Sequence, residues 1–77
     1  MNYSNRLKAY RKLNSLNQEK LAELIGVASN TYSFKENGKV EFSLNEAKKI
    51  ADLFGVTIDE LFFGKEVRVK NTKLNKL

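Results

Sequence analysis

Asn17-Gln18-Glu19-Lys20-Leu21-Ala22-Glu23-Leu24-Ile25-Gly26-Val27-Ala28-Ser29-Asn30-Thr31-Tyr32-Ser33-Phe34-Lys35-Glu36 is the stretch on which the fold turns. Asn17 has the short polar side chain of a helix cap. Leu21, Leu24 and Ile25 follow it at the three- and four-residue spacing of an apolar helical stripe. Gly26 then tolerates the positive φ of a helix end or tight turn. A second short helix is predicted over about 28–36, and Asn37-Gly38 stops it. Ala22 is small where the two helices would cross, Val27 can plug the corner, and Tyr32 turns back toward Leu21 and Ile25.

Outward from this stretch the same signals recur. Ser4 is expected to cap a first helix in which Leu7, Tyr10 and Leu13 recur at a spacing of three. Ser43-Leu44-Asn45-Glu46 has the form of a capping box, serine at the cap and glutamate three residues on. Leu44, Ala47, Ile50, Ala51 and Phe54 then form a buried face that Gly55 ends. Thr57-Ile58-Asp59-Glu60 repeats the box and leads into Leu61, Phe62 and Phe63, stopped by Gly64. With no proline in the chain, the reading is all-α: a compact five-helix domain over residues 1–64 and a basic tail over 65–77.

Two short helices around a tight corner make a helix-turn-helix. The second of them carries Ser29, Asn30, Ser33 and Phe34 in an i, i+1, i+4, i+5 pattern, a stripe of short polar groups with one aromatic. An α-helix fits the major groove of DNA. There asparagine can pair with adenine N6 and N7, serine can bond several bases, and an apolar side chain can meet a thymine methyl. Ser29, Asn30, Ser33 and Phe34 are therefore the candidate base-reading residues. Phe34 has a second reading, as a partly buried core residue or a protein-contact patch. Asn17 and Gln18 open the first helix of the pair, where free backbone N–H groups and the helix dipole favour phosphate. Arg11, Lys12, Thr31, Asn37 and Lys39 join them as candidate phosphate contacts. Such contacts fix position without reading sequence.

At this point the chain resembles the Cro/lambda-repressor helix-turn-helix family, also called XRE-like. The resemblance rests on Leu16-Asn17-Gln18-Glu19-x-Leu21-Ala22-Glu23-x-Ile25-Gly26-Val27, then Thr31-Tyr32-Ser33 and Glu36-Asn37-Gly38-Lys39. It continues through Ile50-Ala51-Asp52-Leu53-Phe54-Gly55-Val56 to Asp59-Glu60-Leu61-Phe62. It implies a five-helix DNA-binding domain, usually dimeric on a palindromic operator and typically repressing transcription, as in the Cro-like repressors of phage and prophage. It also implies Gln18 at the junction of phosphate and third helix, Ser29, Asn30, Ser33 and Phe34 at base edges, and Asn37 on the backbone. Three positions depart from the pattern. Ala28 replaces the usual serine or threonine cap of the recognition helix, at a cost of about 1 kcal/mol. Lys35 stands where an apolar residue usually closes the core, so its stem is expected to snorkel out. Lys20 breaks the capping box that Asn17 would otherwise complete.

Composition narrows the alternatives. The chain has 77 residues and no cysteine or histidine. It therefore lacks the commonest general base and the usual zinc ligands. Glu19, Glu23 and Glu46 read as helix surface and cap residues, not as a catalytic pair. No enzyme activity, metal, cofactor or small-molecule ligand is expected, and neither is a membrane partner. The polar N-terminus and the lack of a long apolar run imply a cytoplasmic, nucleoid-associated protein. Of the net charge of +5, residues 1–20 contribute +4, residues 21–64 contribute −3 and residues 65–77 contribute +4, which suggests one anion-facing side; charge alone fits equally well with lysines that keep a small protein soluble. The expected partners are double-stranded DNA and a second copy of the chain. Dimer contacts are expected from Leu61, Phe62 and Phe63, or from Val67 and Val69. These two valines alternate with charges as in a short strand that would pair between molecules, though the segment also reads as a loose basic tail. The rival functional reading is an antitoxin-like interaction module whose DNA binding is autoregulatory.

Overall fold

Five helices follow one another in the computed structural model, which describes residues 3–64: α1 Ser4–Leu13, α2 Gln18–Ile25, α3 Ser29–Glu36, α4 Leu44–Phe54 and α5 Ile58–Phe63. The domain is all-α, as expected. Val67 and Val69, with the tail that holds them, lie outside the described residues. No helix among the described residues is long and apolar enough to cross a membrane.

Local chemistry sets most of the helix ends. The Asn17 side chain accepts from the Lys20 N–H at 2.7 Å, and the Ser43 hydroxyl accepts from the Glu46 N–H at 3.1 Å. The Ser43 box closes, because the Glu46 carboxylate accepts from the Ser43 N–H at 2.9 Å. At Thr57 only the forward bond forms, from the Glu60 N–H at 3.0 Å. The Glu60 carboxylate instead accepts from the Tyr10 hydroxyl at 3.3 Å. Ala28 is the uncapped start of α3, as its methyl side chain dictates. At the corner, Gly26 takes φ +81°, and the Val27 N–H reaches back to the Ala22 carbonyl at 3.0 Å. Ser15 closes α1 with the same bond pattern at φ +58° but without glycine.

The core is built from one stripe per helix: Leu7, then Leu21, Ala22 and Ile25, then Tyr32, then Ala47, Ile50 and Ala51, then Leu61 and Phe62. Tyr3, Phe42 and Phe62 seal one end, with ring centroids 5.1–5.8 Å apart. Tyr10 stacks on Phe54 at 5.8 Å at the edge of the core.

Four expectations are corrected. Ser4 is not a cap but the first residue of α1, buried, with Tyr3 at the cap position. Leu13 is exposed, because a spacing of three drifts off a stripe that turns every 3.6 residues; Leu7 and Arg11, four apart, face inward. Leu24 is exposed, and Ala22 takes its place in the stripe of α2. Leu44 lies at the outer end of the α4 stripe, where no neighbouring helix covers it.

Candidate nucleic-acid interface

Helix α3 has two unlike faces. Tyr32 and Glu36, four residues apart, point inward and have no exposed surface. Asn30, Phe34 and Asn37 lie on the opposite side, Ser33 lies on the flank between, and Ser29, seven residues before Glu36, stands at the N-terminal end of the helix. Ser29, Asn30 and Phe34 are exposed and Ser33 is half-buried. The side chains of Ser29, Asn30 and Ser33 are not committed to hydrogen bonds with other described residues. Asn37 caps the helix by donating to the Ser33 carbonyl at 2.9 Å. Thr31 is half-buried and lies off this face, about 100° further round than Asn30.

What holds α3 in place is the carboxylate of Glu36. Arg11 on α1 donates to it through Nε at 2.8 Å and Nη2 at 3.3 Å. Gln18, at the start of α2, donates through Nε2 at 2.6 Å, and the Tyr32 hydroxyl donates at 2.8 Å. The third guanidinium nitrogen of Arg11 reaches the Leu16 carbonyl at 3.0 Å. One buried carboxylate thus joins α1, α2 and α3. No buried side-chain nitrogen or oxygen among the described residues is left unpaired.

Burial pushes the Glu36 pKa up. The hydrogen bonds from Arg11, Gln18 and Tyr32, with the charge of Arg11, outweigh it and hold the carboxyl below its ordinary value. The Tyr32 hydroxyl is pushed far up, by burial and then by its bond to Glu36. A second acid is lowered too: Glu46, mainly by the Lys35 ammonium, which donates to it at 2.6 Å. Both carboxyls have folded pKa values below their unfolded value of about 4.3. Their stabilisation is therefore complete above that value and lost as pH falls through the folded one. Thermal midpoints measured by circular dichroism should be flat above about pH 6 and fall below about pH 4.5, and Glu36→Gln should flatten that fall. An equally steep acid limb in the variant would rule Glu36 out as a source.

The structure separates the expected site residues. Asn30 and Phe34 come together on the outer face, with Ser33 on its flank, Ser29 exposed at the helix start, and Asn37 and Lys39 at its end. Asn17 and Gln18 open α2, and the Gln18 amide couples to α3 through Glu36. Arg11 is not on that outer face: it is buried at 8% exposure and committed to Glu36 and Leu16, because an acid inside the fold needs a cation beside it. Lys35 does not snorkel out. Its ammonium stays half-buried against Glu46, tying the end of α3 to the cap of α4. Leu61 and Phe62 are core residues, so of the α5 residues expected at a dimer surface Phe63 alone is exposed. Glu36 itself was not singled out from the sequence. The signal was present, because it stands four residues after Tyr32 on the inward stripe.

Residues 7–61 match the profile of the helix-turn-helix family. The chain belongs to that family, in its Cro/lambda-repressor (XRE) type. An uncharacterized HTH-type transcriptional regulator of Methanocaldococcus jannaschii is 48% identical over 58 residues, covering 75% of this chain and 88% of the relative. The cryptic phage CTXphi transcriptional repressor RstR of Vibrio cholerae is 33% identical over 75 residues, 97% of this chain and 68% of the repressor. The HTH-type transcriptional activator BcrR of Enterococcus faecalis is 37% identical over 67 residues, 87% of this chain but 33% of the activator. No solved structure gives a significant match. The XRE-type fold found here is the DNA-binding domain of a transcriptional regulator.

Proposed function

We propose that this regulator is a repressor that binds a palindromic operator as a homodimer. One α3 lies in the major groove at each half-site, and the half-sites are about one helical turn apart. The observation that carries this reading is the outer face of α3. Three hydrogen-bonding side chains are uncommitted, Asn30 on that face, Ser33 on its flank and Ser29 at the helix start, on a helix clamped from behind by Glu36. Such side chains would contribute little to stability, yet they match the groups exposed on base edges.

In this reading Ser29, Asn30, Ser33 and Phe34 meet bases. Gln18 donates one amide hydrogen to Glu36 and keeps the second for a phosphate, beside the free N–H groups at the start of α2. Thr31, Asn37 and Lys39 hold the backbone further along. Arg11 acts indirectly, by holding Glu36. The repressor role is favoured by the relative matched along nearly all of this chain, which is a phage repressor.

Selection of bound sites from random duplex DNA, with the retarded complex sized, tests the whole reading. It should return an inverted repeat bound by two copies. On that site, Asn30→Ala should cost about 1–3 kcal/mol and relax preference at one position of each half-site. An equal loss on random DNA would remove Asn30 from base reading.

A further inference from the structure

Phe34 is the large apolar side chain on the outer face of α3, with 48% of its surface exposed. A ring so placed contributes little to the core, yet its position is set. Helix α3 ends in a turn in which Gly38 takes φ +83° and the Lys39 N–H donates to the Phe34 carbonyl at 2.9 Å. This pattern returns the residue after the glycine to the side chain three positions inside the helix end. Here it places the Lys39 ammonium over the Phe34 ring, 6.0 Å from its centroid, at the outer limit of a cation–π contact. The cation steadies one side of the ring, and much of the remainder is open.

The apolar feature that a major groove offers such a ring is the C5-methyl of thymine. Cytosine bears hydrogen at that position. 5-Methylcytosine bears the same methyl, at the same place in the same groove. A phenyl ring has neither donor nor acceptor, so it cannot tell the O4 acceptor of thymine from the N4 donor of cytosine. It senses the methyl and nothing else. We propose that Phe34, steadied by Lys39, is a reader of the pyrimidine 5-methyl group: it accepts thymine and 5-methylcytosine alike, disfavours cytosine, and makes binding respond to cytosine-5 methylation. This rests on the placement of α3 in the major groove proposed above.

The test uses the full chain on its selected site. Each thymine is replaced in turn by deoxyuridine, which removes the methyl and keeps the pairing. At a sensitive position, cytosine and 5-methylcytosine duplexes are then compared. One position in each half-site should lose about fourfold in affinity with deoxyuridine, the value of one buried methyl-sized group, and 5-methylcytosine should bind about fourfold tighter than cytosine. Phe34→Ala should bring both ratios to one, while Phe34→Leu keeps part of each. Modified DNA with the unaltered protein gives the same test without any variant. If a site is selected but no methyl matters, or the ratios survive in Phe34→Ala, the inference is overturned and the base-reading proposal stands. If no site is selected, both are overturned.

Discussion

Glu36→Ala should cost the domain about 3–5 kcal/mol of stability, the range for breaking a buried pair by removing one partner. A chain of this size has about 4–12 kcal/mol in total, so the loss is about a quarter of its stability or more. The reason lies in what alanine leaves behind. The Arg11 guanidinium, at 8% exposure, would keep its Leu16 contact but lose two bonds to its counter-charge. The Tyr32 hydroxyl, on a residue with no exposed surface, would lose its acceptor, and so would the Gln18 amide. Urea unfolding followed by circular dichroism measures the loss, and a value under about 1 kcal/mol would sink the hub role. Pairing Glu36→Leu with Arg11→Met removes both charges together. It should recover much of the stability, because replacing a whole buried pair by apolar groups is often neutral or better. DNA binding should recover less, since Gln18 would still have lost the carboxylate that orients it.

Leu61→Ala should cost about 2–5 kcal/mol, the usual range for emptying a fully buried leucine site. For a domain of this size that lowers the thermal midpoint by about 8–40 °C. Leu61 has no exposed surface and sits in the cluster with Leu7 and Ile50. The loss should therefore be the same at low and high protein concentration. A variant that keeps its midpoint but shifts a monomer–dimer equilibrium in sedimentation would instead put Leu61 at a subunit contact. Phe63, two residues on and 52% exposed, is the position where that second outcome is expected.

Much of this architecture is legible in the chain because helix ends are decided within three or four residues. Asn17, Ser43 and Thr57 each accept from an N–H three positions on, and Gly26, Gly38 and Gly55 each take a positive φ one or two residues past a helix. The outer face of α3 is legible for the same reason, since its stripe follows from helical period alone. The exposure of Leu13, Leu24 and Leu44 is not legible in the chain, because an apolar residue near a stripe is inside only if another helix covers it. The inward place of Glu36 is legible from its spacing to Tyr32, but its pairing with Arg11 is not, because the two lie 25 positions apart. The inward turn of Lys35 is not legible either, because the acid that keeps it from the surface belongs to another helix.

The order of residues along the chain was thus enough to specify five helices, the caps at Asn17, Ser43 and Thr57, the tight corner at Gly26 and the polar stripe along α3. Each of these is a short-range matter of hydrogen bonds and periodicity. Packing alone decided which faces went inside and what clamps α3 from behind. A charge on an inward stripe must find its counter-charge, and the helix that supplies it is chosen by the fold, not by spacing in the chain.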